Sequence, residues 1–495
     1  MAEKFYNYID GEWCPADSGE WLENRNPANW DEIVGLFPKS GKQEVDRAVR
    51  SAREAYKKWR LVPAPERGAI LKRAGDIMVE RKDELARNMT REMGKVLTET
   101  LGDTQEGIDT FYYAAVEGRR LFSHTAPSEM PNKMNLSFRM PIGVAGLITP
   151  WNFPMAIPCW KSLPALVCGN TVVFKPASDT PLTATMMVEI LVEAGIPPGV
   201  INIVHGGGGL VGTAIVDHPD VDLISFTGSS LIGKQINSKA GAQLKRVSLE
   251  LGGKNAQIVM EDGDLDLALE GVLWGAFGTT GQRCTATSRL ILHEDIHDRF
   301  IDMLLKAVEG LKVGDGLLPD NTVGPLINKS QVDVVNEYVE IGKAEGANMI
   351  IGGYQLKDGD HAKGWFYAPT VFTGVTQEMR IFKEEIFGPV LSVIKVKDFD
   401  EAVKVHNDCI YGLSSSIYTR DVNRAMTAVR DLEAGITYVN GPTIGAECHM
   451  PFGGVKETGN GHREGGWPVY EFYSEIKTVY IDFSGKLQRA QIDNY

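Results

Sequence analysis

At 495 residues, 43% hydrophobic and 23% charged, the chain has the size for two or more domains and the composition of a globular protein. Its net charge of -14 argues against a general nucleic-acid binder, which needs a basic surface, but leaves room for a local phosphate pocket. No apolar run approaches the roughly 18–20 residues of a membrane span, and the acidic, aromatic start "MAEKFYNYIDGEW" is unlike a signal peptide.

Taken in chain order, "SGKQEVDRAVRSAREAYKKW" places Val45, Ala48, Val49, Ala52, Ala55, Tyr56 and Trp59 at helical spacing, with Pro63 and Pro65 ending the run. Residues 64–122 read as mostly helical. From 142 to 252 short apolar strands ("GVAGLITP", "NTVVFKP", "GVINIVHG", "DVDLISFTG", "KRVSLELGG") alternate with helices. One of these, "DTPLTATMMVEILVEAG", has Thr180 as N-cap, Pro181 at its first position and Gly195 as its stop. That alternation predicts an α/β fold with a doubly wound parallel sheet. A second α/β region follows, with strands at "SRLILH", "PVLSVIKV" and "AGITYVN". The polar segment 123–141 interrupts the pattern like a protruding hairpin, and the alternating tail "KTVYIDFSGKLQRAQIDNY" reads as a strand for pairing with another subunit. The six cysteines (14, 159, 168, 284, 409, 448) form no CxxC. They predict a reduced, cytoplasmic protein without disulfides.

Two motifs mislead. "GGGLVG" (207–212) matches G-x-G-x-x-G, but the acid expected about 20 residues later is absent, so a tight turn is the simpler reading. "HEDIH" (293–297) matches H-E-x-x-H, but His293 ends a strand while Glu294 and Asp295 open a helix. The two histidines then sit on different elements, and no metal site is expected.

Four stretches carry chemistry. In "FGTTGQRCTATSRL", Cys284 follows a cation in a polar, flexible-looking loop, where Arg283 is placed to favour thiolate. In "SLELGGK", Glu250 lies on an apolar strand; a carboxylate there is either a base with a raised pKa or the partner of a cation such as Lys254. Asn152 in "TPWNFP" is held between prolines, where an amide donates to an oxyanion or simply makes a turn. Lys175 in "VVFKPAS" ends a strand, where open α/β sheets bind nucleotides.

The ordered set "PWNFP", "FKPAS", "FTGS", "LELGGKN", "GQRC", "EEIFGP" and "PFGGVKETG" resembles the aldehyde dehydrogenase superfamily over nearly the whole chain. The resemblance implies NAD(P)+-dependent oxidation of an aldehyde to the acid. Cys284 is then the nucleophile and forms a thiohemiacetal, then a thioester. Asn152 and the Cys284 N–H hold the oxyanion, and Glu250 activates the hydrolytic water. For the cofactor it implies Lys175 on the adenosine ribose, Glu385 and Phe387 at the nicotinamide ribose, and Trp151 and Ser229 at the pyrophosphate. Gly208 and Gly212 would line the adenine side, and Ile148, Thr149, Pro150, Phe226, Gly228, Ile232 and Leu251 complete the crevice. Ser178 stands where strict NAD users often carry Glu, which implies use of NADP, beside NAD. Phe153, Trp160 and Phe452 match pocket-lining aromatics, and Arg283 either receives a substrate carboxylate or forms an internal ion pair.

A semialdehyde of a keto acid or amino acid is the expected substrate, with broad aliphatic or aromatic aldehydes as the alternative. The presence of Cys284 and Glu250 speaks against a CoA-acylating enzyme and against a non-catalytic relative. The implied architecture has a cofactor-binding domain (1–122 and 142–252, with 456–472 returning to it) and a catalytic domain (253–455). Oligomerisation strands (123–141 and 473–495) complete a homodimer or homotetramer with no nucleic-acid or membrane partner.

Overall fold

The computed structural model describes residues 2–493. Two seven-stranded sheets, each with helices on both faces, carry most of the chain, and a three-stranded sheet stands apart from them. The result is the expected α/β architecture: a Rossmann-like sheet, a second α/β unit and a small β element.

The first sheet runs Arg246–Glu250, Leu223–Thr227, Val144–Ile148, Thr171–Lys175, Ile201–Ile203, then Asn7–Ile9 and Glu12–Cys14. The first five strands are parallel, and the N-terminal hairpin closes the edge antiparallel. Val144–Ile148 and Thr171–Lys175 are buried at every residue, as strands covered on both faces must be. The strand order reverses between Val144–Ile148 and Leu223–Thr227, so the chain leaves these neighbours towards opposite faces. That leaves a crevice at their carboxyl ends, the general ligand position of open α/β sheets.

The second sheet runs Asn348–Ile351, Thr370–Thr373, Val390–Val396, Thr287–His293, Asn255–Val259, Ser414–Tyr418, Ile436–Val439. The strands Arg246–Glu250 and Asn255–Val259 are adjacent in sequence but belong to different sheets. The four-residue link Leu251–Lys254 therefore crosses from one body to the other. Glu250 is the last residue of the first sheet's edge strand, and Cys284 lies just before a strand of the second.

The tail strand Ser474–Asp482 pairs along its whole length with Lys133–Pro141 of its own chain and leaves its other edge open among the described residues. One expectation needs correction. Thr180 does occupy the N-cap of helix Pro181–Glu193, but its hydroxyl makes no bond there. The buried Glu92 carboxylate supplies the cap instead, accepting the Leu182 and Thr183 N–H groups at 2.8 and 2.7 Å. A carboxylate serves that end better than a hydroxyl because it also faces the positive end of the helix dipole.

Candidate active site

The loop that presents Cys284 is buried and pinned, not flexible. Helix Leu265–Phe277 ends in a tight turn, Gly278–Gly281, in which Thr279 and Thr280 hold left-handed φ values of 52° and 58°. Two successive non-glycine residues in that region are strained and persist only when neighbours over-determine them. Glu99 does much of this: both its carboxylate oxygens accept the Thr279 N–H at 2.9 Å. Arg283 Nη2 donates to Glu99 at 2.8 Å and its Nε to Thr279 Oγ1 at 2.9 Å. The Gln282 amide donates to the Thr279 carbonyl at 3.1 Å and accepts from the Ile327 N–H at 3.0 Å, while Asn255 Nδ2 donates to the Cys284 carbonyl at 2.7 Å.

Gly281 (φ +68°) lets this loop pass the Gly388 carbonyl, which a Cβ would meet at 2.1 Å. Gly281→Ala is therefore expected to lower the thermal midpoint by about 3 °C or more, with activity falling alongside, in a melt and a steady-state assay run together.

Cys284 is half-buried and lies on the wall shared by two cavities, one of about 430 Å³ and one of about 250 Å³. Thr227 and Leu251 are the other shared lining residues. Burial, and then the Glu385 and Glu250 carboxylates, push the thiol up to about 12, with the N–H groups of Thr285 and Cys284 acting the other way. The resting sulfur is thus a thiol at neutral pH, and Arg283, committed to Glu99, does not make it a thiolate.

Glu250 is 3% exposed on the 430 Å³ cavity, with its Oε1 lacking any partner. Burial, followed by the nearby Glu464, holds its carboxyl well above the usual carboxylate range; Lys161 and Arg463 oppose them. Glu464 itself is tied to Lys161 and accepts from Ser225 Oγ at 3.3 Å. No ion pair joins Glu250 to Lys254, whose ammonium is buried without a hydrogen-bond partner and is pushed down to about 7 by burial. Asn152, buried in the turn after Val144–Ile148, donates its Nδ2 to the Gln282 carbonyl at 3.1 Å, two residues from the sulfur-bearing position.

The 250 Å³ cavity fills the crevice where the strand order reverses, lined by Pro150, Trp151 and Asn152 from one strand end and Thr227, Gly228 and Ser229 from the other. Ser229 caps helix Ser230–Gly241, its Oγ accepting the Ile232 N–H at 3.5 Å. Trp151 meets the Phe387 ring edge-to-face at 5.4 Å, and Gln331 Nε2 holds the Phe387 carbonyl at 2.9 Å. Glu385 accepts the Gly253 N–H at 2.9 Å and is raised by burial to about 7. A Cβ on Gly252 would stand 2.2 Å from its carboxylate, so glycine is what lets the acid reach this cavity.

Lys175 is buried at its strand end with only the neighbouring Pro176 carbonyl as partner, and burial lowers it to about 8. A Cβ on Gly212 would lie 3.8 Å from the Lys175 chain, whereas one on Gly208 would meet open space. These two glycines bound a single π-helical turn, Gly208–Gly212, that opens helix Thr213–Asp217. Ser178 is exposed and donates to the Gly206 carbonyl at 3.1 Å. Ile148, Thr149, Phe226 and Leu251 are buried at the sheet end, the Phe226 ring packed under Gly228, while Ile232 is exposed. A buried lysine bonded only to a neutral carbonyl, helix N–H donors and glycines at the close approaches fit the phosphates and ribose hydroxyls of a dinucleotide.

Phe153, Trp160, Arg283 and Phe452 all line the 430 Å³ cavity, with Trp160 edge-to-face on Phe452 at 5.1 Å. Sequence reading missed the wall facing them. Helix Leu97–Glu117 contributes Glu99, Asp103 and Glu106, and helix Leu265–Phe277 contributes Trp274. The acids recur at i, i+4 and i+7, one helical face, a spacing open to the same reading as an ordinary solvated stripe. Asp103 pairs with Lys95 at 2.9 Å, both side chains fully buried. No group of three or more potential metal ligands occurs among the described residues, and His293 caps a helix.

The family model described as "Aldehyde dehydrogenase family" matches residues 13–479. The chain is 43% identical to the α-ketoglutaric semialdehyde dehydrogenase of Bacillus subtilis (strain 168), over 96% of this chain and 98% of that protein. Among solved structures, it superposes on an E. coli NADP-dependent enzyme with a TM-score of 0.93 at 38% identity, covering 97% and 98% of the two chains. A betaine aldehyde dehydrogenase of Staphylococcus aureus in complex with NAD+ gives 0.95 at 34% identity, covering 97% and 95%.

Proposed function

This chain belongs to the aldehyde dehydrogenase family and oxidises aldehydes with NAD(P)+, and we propose that it does so through Cys284, Asn152 and Glu250. The observation that carries this reading is the position of the Cys284 thiol on the wall between the two cavities, with the unpartnered Glu250 on one of them. The sulfur attacks the aldehyde carbon as its proton passes to Glu250, whose raised pKa suits it to accept. Asn152 Nδ2 and the Cys284 N–H donate to the oxyanion. NAD(P)+, when bound in the crevice of Lys175, Ser229, Glu385 and Phe387, supplies the hydride acceptor. Glu250 passes the thiol's proton to solvent and then takes a proton from water as that water attacks the thioester carbon; the carbon–sulfur bond breaks, the acid is released and the sulfur regains the proton from Glu250.

A panel of aldehydes assayed with both cofactors, following reduced-nicotinamide absorbance, tests the reading. Small semialdehydes are the proposed substrate class, supported by the name of the Bacillus relative. Turnover of alkanals alone would count against it.

The domain roles read from the sequence are proposed to follow the two large sheets, with helix Pro468–Phe472 of the returning segment packed in the first sheet's core. Ser178, exposed three residues after Lys175 and itself uncharged, supports use of NADP beside NAD. Ser178→Glu is expected to shift the kcat/KM ratio towards NAD by at least about tenfold, roughly 1.4 kcal/mol, since a carboxylate accepts ribose hydroxyls and repels a 2′-phosphate.

The open edge of strand Ser474–Asp482, with Ile476, Tyr480 and Ile481 exposed, supports a homodimer or homotetramer built on the three-stranded sheet. Light scattering of the purified protein reads this directly. The six cysteines are free, which supports a reducing compartment such as the cytoplasm. No helix among the described residues is long and apolar enough to cross a membrane.

A further inference from the structure

We propose that a groove at the root of the three-stranded sheet binds a phosphate monoester, its phosphate held by arginines and its body lying on an apolar wall. The groove, about 580 Å³, is built from residues 60–67, residues 118–121 after helix Leu97–Glu117, strand Lys133–Pro141 and Ser474. It shares no lining residue with the two cavities on which Cys284 lies. Arg60, Arg67, Arg119 and Arg139 all line it, and no Asp or Glu does. On a chain of net charge -14 that is a concentrated local excess of cation. Guanidiniums gathered around one hollow repel one another, and a bound anion relieves the repulsion.

The bonding of these arginines leaves them available. Arg67 is 5% exposed, yet its partners are neutral: Nε donates to the Val167 carbonyl at 2.9 Å and Nη1 to the Val62 carbonyl. Charged side chains are rarely buried so deeply without an opposite charge, and burial accordingly pulls this guanidinium below the ordinary arginine range. Arg139 donates to the Phe122 carbonyl at 2.8 Å and to Ser474 Oγ at 3.1 Å, and reaches the exposed Glu471 only at 3.4 Å. Arg60 lies over the Tyr56 ring at 6.0 Å and Arg119 is exposed; neither has a carboxylate partner among the described residues. Glu117, next to the groove in sequence, is paired with Arg120 at 3.5 Å. The arginines come from separate stretches of chain, and a tetrahedral dianion accepts from several directions, whereas one planar fork satisfies a carboxylate. Leu61, Leu121 and Met140, with three prolines, make the remaining wall apolar, which suits an ester's body better than a bare inorganic ion. Gly118 brings the floor together: a Cβ there would stand 2.6 Å from the Ala64 carbonyl, so glycine lets the start of one helix close on the end of another.

The test titrates phenyl phosphate, inorganic phosphate and benzoate into the intact enzyme by calorimetry, with NADP+ at saturation to fill the cofactor crevice. Phenyl phosphate is expected to bind one site per subunit with a Kd of about 1 mM or tighter at low ionic strength, and to weaken as salt is added. Inorganic phosphate, lacking the body, is expected to bind at least about threefold more weakly, and benzoate, with one charge and one plane, at least about tenfold more weakly. Arg60→Gln combined with Arg119→Gln changes two exposed side chains remote from Cys284. It is expected to cost phenyl phosphate at least about tenfold in affinity, while turnover without phosphate stays within about twofold of wild type. The wild-type ranking of the three probes stands as evidence whether or not the double variant folds. Failure of phenyl phosphate to bind, binding that survives the double variant, or a benzoate site at least as tight and equally lost in that variant overturns the proposal.

Discussion

Cys284→Ala is expected to reduce aldehyde-dependent formation of reduced nicotinamide by at least about a thousandfold while leaving dinucleotide binding within about threefold of wild type. The reason is positional. The sulfur is a small, half-buried part of the wall between two cavities, so its loss removes little packing, and the loop around it is held by Glu99, Gln282 and Asn255 through bonds that do not involve the thiol. The groups that fit the dinucleotide stand on other strands. Stopped kinetics alongside a titration that quenches the Trp151 region with added cofactor separates the two quantities. Activity within tenfold of wild type in a well-folded Cys284→Ala protein would remove the covalent mechanism.

Glu250→Gln is expected to turn steady turnover into a single burst. The amide keeps the shape and loses the base, so deacylation slows by about 100-fold or more, within the usual range for general-base assistance. The first addition loses its proton acceptor as well, yet some solvent base remains available to a thiol facing an open pocket. About one equivalent of reduced cofactor per subunit is then released and the acyl group is retained on Cys284, visible as a mass increase on the tryptic fragment that contains it.

The pH dependence has a defined sign. Because burial and Glu464 raise the Glu250 carboxyl, the base is protonated at lower pH, and wild-type kcat rises with pH through a limb lying above the ordinary carboxylate range. In Glu250→Gln that limb disappears. A linear time course without a burst, or an unaltered acid limb, would assign the base elsewhere.

How much of this was open to sequence reading depended on whether each interaction is local. The parallel strands were legible because Val144–Ile148 and Thr171–Lys175 are buried on both faces and so consist of unbroken apolar runs bounded by turn residues. Cys284, Glu250 and Lys175 stood out because each is a reactive or charged group in a stretch whose composition does not explain it. What failed was everything decided at a distance. The helix at Pro181 is capped by Glu92, about 90 residues earlier. Arg283 faces Glu99, 184 positions away, so the cation beside the nucleophile braces a strained turn and does not ionise the thiol. Glu464, which helps tune Glu250, lies in an unremarked "GHREGG". The N-terminal strands, three residues each, are too short for any periodicity to register.

The short crossing at Leu251–Lys254 has an architectural result. Since the proposed proton acceptor Glu250 terminates one sheet and the proposed nucleophile Cys284 is anchored ahead of a strand in the other, their separation is a property of how two lobes are seated, held by neither one. Truncated halves of this polypeptide, however well each retains its own core, would house an idle acid on one side and an unassisted thiol on the other.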